Sequence, residues 1–540
     1  MLLKRIYKLI PQSDRRKLVW VMFSVMFRSL LDFCGVAALL PILIMILGNH
    51  PDKKKTLLFC VAALLFILFK NVVTFLLTRY KNNYLLDLYK QFSCRLFYDY
   101  YHRGLLFLKE RGTVRLAHEV NFICYTFSLN ILSSLFVIGG EAILLFMMIM
   151  ALLIWKPLIC AILVLVFVPF VFLYVYVIRK KLRLWGTKEL KIRSHQSRTV
   201  TETFRGYPEL EINQAFSSSF NTFKSNMDEI KRNRFKTDTL GVFPDFLLEL
   251  AVVISLSLLV IFIGGNLKII SGIFALSALR MLPSIRTILG CWTSLQSSSS
   301  CVDVLEKGLA NDEPFNENAN DYPLSFQHVL AADHITFTYP DGYSVLIDFS
   351  CTIYKGECVG IRGVSGSGKS TLFNILLGFY PVTKGAIYVD DEVLSCKNIK
   401  AWHKLVGYVP QEIFIIQGTL AENIALGSDN INKEKISNVL ELAQLNDWVG
   451  QLPDGIDTSL GEFGNRMSGG QKQRLGIARA LYKDATVLFL DEATSSLDSG
   501  TEYDINKALQ HLSDERQELT IIIIAHRESS LNFCDRIIDM

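Results

Sequence analysis

Long apolar stretches in the first half of the chain restrict what it can fold into. A helix that crosses a bilayer needs about 20 consecutive, mainly apolar residues. The sequence has six stretches of about this length, at 18–47, 56–80, 131–155, 157–178, 244–263 and 269–289. Hydrophobic residues make up 51% of the 540 residues and charged residues 20%, which excludes a disordered or collagen-like chain. The sequence therefore predicts a membrane protein with six spanning helices.

Lysine and arginine are concentrated in some of the connections between these stretches. The N-terminus and the long segments 79–115 and 179–236 are basic, and the short connections near 155 and 266 are not, although lysines 53–55 depart from this pattern. Because cytoplasmic loops carry the excess positive charge, we expect the N-terminus, the long segments and the C-terminal half in the cytoplasm. The first apolar run is too long for a signal peptide and lacks a cleavage site, so we expect a retained helix. The net charge of +5 needs no nucleic-acid partner.

The 11 cysteines are scattered from Cys34 to Cys534 and include no Cys-x-x-Cys pair. This pattern indicates neither a structural zinc site nor a disulfide framework. We expect the cysteines to behave as small hydrophobic residues in a reducing compartment.

The composition changes after residue 292. Serines at 297–300 and a run rich in Asn, Asp and Glu at 311–320 indicate a polar linker. Short β-rich runs then alternate with helical ones, with strands expected at 334–337, 358–361, 486–490 and 520–524 and a helix at 371–378. This alternation is typical of a parallel sheet. We therefore divide the chain into a transmembrane domain at 1–292, a helix extension and linker at 293–328, and a nucleotide-binding domain at 329–540.

A glycine-rich run between an expected strand and an expected helix fits the phosphate-binding loop of nucleotide-binding proteins. In such a loop, backbone N–H groups turn onto the phosphates, the lysine reaches the β- and γ-phosphates, and the following serine supplies a hydroxyl to Mg²⁺. The predicted nucleotide-binding residues here are Gly363, Val364, Ser365, Gly366, Ser367, Gly368, Lys369, Ser370 and Thr371.

A buried-strand pattern at 487–490 ends in two carboxylates, Asp491 and Glu492. At the end of a strand in the same domain as the phosphate-binding loop, Asp491 is placed to hold magnesium through water. Glu492 is placed to polarise the attacking water as a general base. We expect Glu492 to be the principal catalytic residue.

Together with these two motifs, Met467-Ser468-Gly469-Gly470-Gln471 resembles the signature sequence of ATP-binding cassette (ABC) proteins. Met467 stands where the family usually has leucine, an exchange of apolar residues of similar volume. The resemblance extends over essentially the whole chain to half-transporters of the exporter type. It implies a six-transmembrane-helix exporter-type ABC domain followed by an α/β P-loop ATP-binding cassette domain.

Other short segments are similar to family elements in the same order, and the resemblance implies their roles. Tyr339 would stack on adenine, Gln411 would contact magnesium and the coupling helices, and the segment 496–498 would contact the other ATPase domain. The segment 461–464 is similar to the cross-contact segment of exporters. His526 would contact the γ-phosphate, although taken alone it reads more simply as a packed core histidine.

The resemblance also implies the cofactors and the assembly. In ABC proteins, each ATP with its Mg²⁺ lies between the phosphate-binding loop of one domain and the signature of the other, here Ser468, Gly469, Gly470 and Gln471. One such domain per chain implies a dimer. We expect a homodimer that hydrolyses ATP at both sites, with a heterodimer as the alternative.

Ionisable residues inside the apolar stretches are costly in a bilayer and so indicate an interior or functional location. They are Arg28, Asp32, Lys70, Glu141, Glu249, Arg280 and Arg286. Arg28 and Asp32 are four residues apart on one helix face and could simply neutralise each other. For Lys70, a snorkelling side chain and a functional one remain open. Arg280 and Arg286 would line one surface only if Pro283 bends the last helix.

This pattern of charges, with the run Arg280-Met281-Leu282-Pro283-Ser284, resembles the ABC flippases of lipid-linked oligosaccharides. Two features depart from that subfamily: the outer connection at 48–55 is short, and Arg286 is displaced by one position. The resemblance implies that Lys70, Arg280 and Arg286 bind the phosphates of an anionic lipid-linked saccharide at the inner membrane. Export of peptides, drugs or other lipids remains the alternative, and a sensor or regulator without transport is disfavoured because Glu492 and His526 are both intact.

Overall fold

A computed structural model of the protein describes residues 2–42, 53–262, 267–309, 322–461, 464–493, 498–515, 518–525, 527 and 531–540. These residues form two compact units. The first unit comprises Met1–Arg103 and Phe107–Phe315, and the second comprises Gly104–Leu106 and Asn316–Met540.

The described part of the first unit is helical. Its helices are α1 (Leu2–Leu9), α2 (Gln12–Ala37), α3 (Lys53–His102), α4 (Gly104–Arg111, whose first three residues belong to the second unit), α5 (Thr113–His118), α6 (Ser133–Trp155), α7 (Pro157–Arg205), α8 (Tyr207–Ile212), α9 (Phe216–Phe262), α10 (Leu267–Ser297) and α11 (Ser300–Gly308). Two π-helical segments, Glu119–Ile123 and Thr126–Leu132, connect α5 to α6.

Six helical stretches in the described residues are long and apolar enough to cross a membrane. They are Gln12–Ile42, Leu57–His102, Thr113–Trp155, Pro157–Arg205, Phe216–Ile261 and Gly272–Ser297. The prediction of six spans is confirmed. Four of the six continue well beyond the apolar runs, because amphipathic sequence of helical periodicity follows or precedes each of these runs without a break.

Glycines lie at two of the turns between helices. Gly112 has φ 79° and separates α4 from α5, a conformation that glycine adopts without a steric penalty. Gly206 ends α7, and Pro208 lies in the first turn of the short helix that follows, where its missing N–H has no acceptor to satisfy. A lone glycine at the first position and a glycine close to a proline at the second are turn signals in the sequence.

Two hydrophobic clusters hold the first unit together. One joins α1, the start of α2, the later turns of α3, the π-helical segments and α11, with Phe92 and Phe127 packed edge to face at its centre. The other joins α6, α7, α9 and α10 around Tyr174. The N-terminal helix is also tied to α11 by an ion pair, since the Arg5 guanidinium lies 2.6 Å from Asp303 Oδ1 and also contacts Glu306.

The second unit contains two sheets. Strands β1 (Val329–Thr338), β2 (Ser344–Tyr354), β4 (Lys384–Val389) and β5 (Glu392–Val393) form an antiparallel sheet in the order β2-β1-β4-β5. Strands β3 (Cys358–Arg362), β6 (Val406–Val409), β7 (Val487–Asp491), β8 (Thr520–Ile524) and β9 (Arg536–Asp539) form a parallel sheet in the order β6-β7-β8-β3-β9.

Helices surround this parallel sheet. They are α12 (Lys369–Leu376), α13 (Ile399–Leu405), α14 (Leu420–Ile424), α15 (Lys433–Leu442), α16 (Asn446–Gly450), α17 (Gly469–Tyr482) and α18 (Ser499–Glu515), with a 3₁₀ turn at Gly455–Asp457. Strands β7 and β8 are buried at every position, as expected for central strands covered on both faces. The strands predicted at 358–361, 486–490 and 520–524 lie in the parallel sheet, which is confirmed. The strand predicted at 334–337 does not: it lies in β1 of the antiparallel sheet, which was not foreseen.

Candidate functional site

The ends of neighbouring parallel strands are level where the phosphate-binding loop begins. Ile361 of β3 pairs with Ile524 of β8, and Ile524 pairs with Asp491 of β7. In open α/β sheets, ligands bind beyond the carboxyl ends of the strands. The predicted loop, the two predicted carboxylates and the residue after β8 therefore lie along one edge of the sheet.

The phosphate-binding loop runs from the end of β3 to the start of α12. Gly366 and Gly368 have φ 86° and 103°, values that a residue with a side chain rarely adopts. Gly363 allows a close approach of the C-terminal strand, because a Cβ added there would lie 2.5 Å from the carbonyl oxygen of Met540. These glycines permit the loop to turn its backbone toward the start of α12.

Polar groups of the loop face inward. Lys369 is buried, and its Nζ donates hydrogen bonds of 2.9 Å to the carbonyl oxygens of both Gly363 and Val364. Ser367 Oγ is buried without a hydrogen-bond partner among the described residues. A helix N-terminus, a lysine and an unsatisfied hydroxyl together fit a phosphate group.

The second carboxylate of the pair is held by the predicted glutamine. Val409 of β6 pairs with Leu490 of β7, so Gln411 and Glu492, each two residues further on, come level. Gln411 Nε2 donates a 2.8 Å hydrogen bond to Glu492 Oε2. Asp491 is buried at the end of β7. The structure thus brings together three of the residues predicted for magnesium binding and catalysis.

The backbone of Glu492 is strained. Its φ is 51°, in the left-handed region that glycine favours, and its N–H donates to the carbonyl oxygen of Ile524 at 2.9 Å. Strain of this kind persists where the surroundings impose it, often at functional sites. Here it directs the Glu492 side chain toward Gln411.

The signature segment begins helix α17 with a capping box. Ser468 Oγ accepts a 3.2 Å hydrogen bond from the Gln471 N–H, and Gln471 Oε1 accepts a 2.8 Å bond from the Ser468 N–H. Gly469 and Gly470 form the first turn of the helix, and both are without side chains that could block an approaching anion. This end of α17 is a suitable surface for a phosphate.

Tyr339 lies beside the phosphate-binding loop. Its hydroxyl is 3.1 Å from Thr371 Oγ1, and its ring packs edge-on against Phe337 and Tyr380. Ser370 is exposed at the start of α12. The stacking role of Tyr339 and the metal role of Ser370 stay predictions.

Several predicted site residues lie outside the described residues. They are His526, Glu462 and Phe463 and, of the segment 496–498, Ser496 and Leu497. Asp498 is described, and its carboxylate accepts a 3.0 Å hydrogen bond from the Thr501 N–H at the start of α18. This backbone hydrogen bond lowers the pKa of Asp498.

In the first unit, which contains the six apolar helices and is called the membrane unit below, one carboxylate attracts three cations. Asp32 of α2 lies 2.9 Å from Lys70 Nζ on α3, 3.6 Å from the Arg280 guanidinium on α10 and 3.8 Å from the Arg28 guanidinium one helical turn earlier. Arg28 and Asp32 do pair, as their spacing suggested, but Lys70 is the nearest partner of Asp32. Lys70 points into the bundle toward Asp32, which excludes a simple snorkelling side chain.

Arg286 does not join this cluster. It pairs with Asp245 of α9 at 2.8 Å, and its side chain is 69% exposed. Helix α10 is continuous through Pro283, so Arg280 and Arg286 face different neighbouring helices and do not line one surface. Asp245, which follows Pro244 inside an apolar stretch, was missed in the sequence.

A second missed residue is Lys81 of α3, which is 9% exposed. It lies within electrostatic range of Arg28 and Cys291. Lys81 stands 11 residues after Lys70, close to three full helical turns, so both lie on one face of α3. This spacing was the feature of the sequence from which Lys81 could have been identified. Glu141 of α6 also has a buried oxygen, Oε2, without a hydrogen-bond partner among the described residues.

Comparison with known protein families identifies part of the chain. Residues 346–495 match the family described as ABC transporter. An ATP-dependent lipid A-core flippase of Ralstonia nicotianae is 30% identical over 371 residues, or 67% of this chain and 62% of that protein. The flippase of the same name from Legionella pneumophila is 30% identical over 69% of this chain and 64% of its own length. The matches thus cover less than two thirds of these relatives.

Two further comparisons cover different shares of the chain. An uncharacterized ABC transporter ATP-binding protein of Bacillus subtilis, YwjA, is 43% identical over 205 residues, or 38% of this chain and 35% of that protein. The structure of a bacterial Atm1-family ABC exporter with ATP bound superposes with a TM-score of 0.82. This match covers 98% of the chain and 93% of that structure at 21% identity, which shows a shared fold.

Proposed function

The chain carries an ABC transporter domain and has the fold of an ABC exporter, and we propose from this that two identical copies use ATP to move an anionic lipid across a membrane. The observation that carries the ATPase part is the hydrogen bond between Gln411 and Glu492 beside the phosphate-binding loop. The proposed location is the inner membrane, with the N-terminus and ATPase domain in the cytoplasm, as the distribution of basic segments favours.

In the proposed hydrolysis, Glu492 acts as general base toward the attacking water, and Gln411 holds its carboxylate in place. Lys369 exchanges its two carbonyl acceptors for phosphate oxygens, and Ser367 Oγ gains a hydrogen-bond partner, which it lacks among the described residues. Tyr339 supports the adenine and His526 contacts the γ-phosphate. Ser370, Gln411 and Asp491 would hold Mg²⁺, which supplies positive charge to the phosphates when bound.

The proposed dimer completes each site from two chains. Ser468, Gly469 and Gly470 of one copy would face the phosphates held by the loop of the other. The capping box supports this role, because Ser468 and Gln471 fix the start of α17 while the first-turn glycines leave it open. Binding of ATP would then draw the two ATPase domains together, and the long helices would transmit that closure to the membrane.

The proposed substrate is an amphipathic lipid whose head group carries phosphate, such as a lipid-linked saccharide. Two of the relatives are named as lipid A-core flippases. In this chain, Lys70 and Arg280 present cations from two helices inside the membrane unit. Phosphates that leave water need donors and positive charge, and these two residues supply both.

Reconstitution in liposomes tests the substrate class. We expect transbilayer movement of a fluorescent lipid phosphate to require ATP and to fall on the order of tenfold in Lys70→Gln and Arg280→Gln, while ATPase activity without lipid stays near that of the unmodified protein. Lys90→Gln is the matched control for an exposed lysine on α3. Arg286→Gln is expected to have the smaller effect, because Asp245 already neutralises Arg286.

Mass spectrometry of lipids that copurify with the protein identifies the head group. ATP-driven movement of an uncharged lipid, a peptide or a drug with no preference for phosphate would contradict the proposed substrate and leave the ATPase assignment standing. Absence of ATP hydrolysis in the unmodified protein would contradict the proposed activity itself.

A further inference from the structure

The charge cluster around Asp32 is unbalanced. Among the described residues, one carboxylate from α2 pairs with Arg28 of the same helix, Lys70 of α3 and Arg280 of α10, which leaves two positive charges in excess within this group of four. The side chains are 13% exposed for Asp32, 20% for Lys70, 29% for Arg280 and 38% for Arg28, the member nearest to solvent. The cluster is therefore largely shielded within the unit, where its electrostatic interactions are stronger than in water.

Hydrogen bonding in the cluster is also incomplete. Asp32 Oδ1 accepts a hydrogen bond from Lys70, and Oδ2 is 3.6 Å and 3.8 Å from the two guanidinium groups, beyond good hydrogen-bond distance. In the described part of the chain, Arg28 and Arg280 donate no side-chain hydrogen bond. A guanidinium group has five N–H donors. A single carboxylate cannot satisfy them, but a phosphate, with more acceptor oxygens, is better matched.

From these contacts we infer that Asp32 is an exchangeable internal counter-ion, which occupies the cations of the site when no substrate is bound and gives up Lys70 and Arg280 to a phosphate-bearing lipid. This inference rests on the proposed function and deepens it. Unpaired cations inside a membrane protein are costly, so the empty site needs an anion of its own. The same anion lowers the net affinity for phosphate, which helps the substrate to leave.

The exchange also gives selectivity. A lipid with no charged head group supplies no anion to replace the Asp32 carboxylate beside Lys70, so it cannot break the ion pair. An anion that competes must bring negative charge and several acceptors together. Asp32 thus acts as a specificity-determining residue, although it repels the substrate it helps to select.

Gly35 makes room for the cation that exchanges. A Cβ added at Gly35, three residues after Asp32, would lie 3.3 Å from Lys70 Cδ and 3.8 Å from Lys70 Nζ. The lysine side chain therefore crosses α2 at its one position without a side chain in this turn. A substitution that adds a methyl group there disturbs the pair of Lys70 and Asp32 without changing any charge.

The test measures binding of short-chain phosphatidic acid to the full-length protein in nanodiscs of uncharged lipid. Diacylglycerol of the same chain length is the uncharged probe, and inorganic phosphate is the head group alone. We expect Asp32→Asn to bind phosphatidic acid about tenfold more tightly than the unmodified protein, which corresponds to about 1.4 kcal/mol. Glu249→Gln, which removes the same charge from an exposed position of the membrane unit, is the matched control and is expected to leave the affinity unchanged.

The outcomes separate the inference from the proposed function. If the unmodified protein binds phosphatidic acid but Asp32→Asn binds it equally or more weakly, or if Glu249→Gln tightens binding as much, the exchange is refuted and the substrate class survives. If neither the unmodified protein nor Asp32→Asn prefers phosphatidic acid to diacylglycerol, both fail. If Asp32→Asn also binds inorganic phosphate more tightly than the unmodified protein does, the exchange is supported, and the phosphate head group alone is sufficient for it.

A second variant covers the case in which Asp32→Asn does not fold. Gly35→Ala keeps every charge and is expected to tighten binding of phosphatidic acid about two- to threefold by weakening the internal pair. Gly139→Ala is its control, because an added Cβ at Gly139 meets no atom within 4 Å. Equal affinity in the two alanine variants refutes the exchange.

Discussion

Glu492 shows how a residue with an unfavourable backbone can identify a site. A non-glycine residue at φ 51° carries a conformational cost. The hydrogen bond from Gln411 engages the Glu492 carboxylate. Both features fit the catalytic role proposed for this side chain, and its backbone is held by the hydrogen bond to the Ile524 carbonyl oxygen.

Replacing Glu492 by glutamine keeps the shape of the side chain and an acceptor for Gln411 but removes the base. We expect Glu492→Gln to lower steady-state ATP hydrolysis by about 100-fold or more, while ATP still drives closure of the dimer. Phosphate release measures the first effect and crosslinking of the two ATPase domains the second. Glu412→Gln, at an exposed neighbour of Gln411, is the control, and near-normal turnover in Glu492→Gln would refute the assignment of the base.

We expect His403 to make the second unit sensitive to acid. Burial lowers the pKa of His403, and the nearby Lys483 ammonium lowers it further, against the opposing effect of the hydrogen bond to the Leu377 carbonyl oxygen. His403 Nε2 lies 2.8 Å from that oxygen. The folded protein therefore resists protonation of His403 more than the unfolded chain does, which protonates near pH 6.5.

Because the unfolded state binds the proton more readily, this contribution to stability is complete above pH 6.5 and is lost as the pH falls. We expect the melting temperature of the full-length protein to fall between pH 7.5 and 5.5 by more than that of His403→Gln, whose amide keeps a donor for Leu377. Thermal unfolding at both pH values measures the difference. Parallel curves for the two proteins would show that His403 does not contribute.

At the scale of single elements, two helices of the second unit begin with the same device. Thr419 and Glu422 form a capping box at the start of α14, as Ser468 and Gln471 do at the start of α17. Each box satisfies backbone N–H groups that the first helical turn leaves unpaired. Only the α17 box belongs to the predicted nucleotide site. Comparing substitutions in the two boxes therefore distinguishes an effect on helix stability from an effect on ATP hydrolysis.

We expect Ser468→Ala and Thr419→Ala each to destabilise the protein by about 1 kcal/mol. ATP hydrolysis is expected to fall strongly in Ser468→Ala and little in Thr419→Ala. Denaturation and ATPase measurements on both variants make the comparison. An equal loss of activity in both would mean that the serine acts through the stability of its helix alone.

Periodicity and motif spacing predicted much of this architecture because they report burial directly. The six spans, the parallel strands and the turns at Gly112 and Gly206 follow from apolar runs and glycine positions. The antiparallel sheet was missed, since β1 and β2 pair with register shifts near Ile335 and Phe337 that break any simple alternation. The π-helical segments were missed too, because a π-helix changes hydrogen bonding without changing composition.

The site was predictable to the extent that its residues lie in contiguous motifs. Strand register then explains the meeting of Gln411 and Glu492, which are 81 residues apart. The membrane cluster was harder, because Asp32, Lys70 and Arg280 come from three helices, and a sequence does not say which helix faces which. Lys70 and Arg280 were identified by the cost of burying charge, but their common partner and the separate pairing of Arg286 depend on packing.

At the scale of the whole molecule, each chain holds both halves of the proposed nucleotide site. The phosphate-binding loop includes Lys369, and the signature helix begins at Ser468. If the proposed homodimer is correct, the loop of each copy works with the signature of the other. The alternative, in which each chain completes its own site, uses the same residues and has the same composition, so single variants cannot tell the two apart.

Mixed dimers can. Coexpression with two affinity tags isolates dimers in which one chain carries Lys369→Ala and the other Ser468→Ala, and dimers in which one chain carries both changes and the other none. In the proposed head-to-tail arrangement, the split dimer keeps one intact site, whereas the dimer with both changes in one chain has a defect in each site. We therefore expect vanadate to trap magnesium nucleotide in the split dimer and very little in the other.

If each chain completed its own site, the result would be reversed, since the unmodified chain would then keep an intact site beside its doubly changed partner, and both chains of the split dimer would be defective. Trapping reads out site assembly directly and does not depend on whether one working site suffices for transport. The measurement is decisive because the two arrangements predict opposite results: the head-to-tail arrangement predicts more trapped nucleotide in the split dimer, and the other arrangement predicts more in the dimer with both changes in one chain.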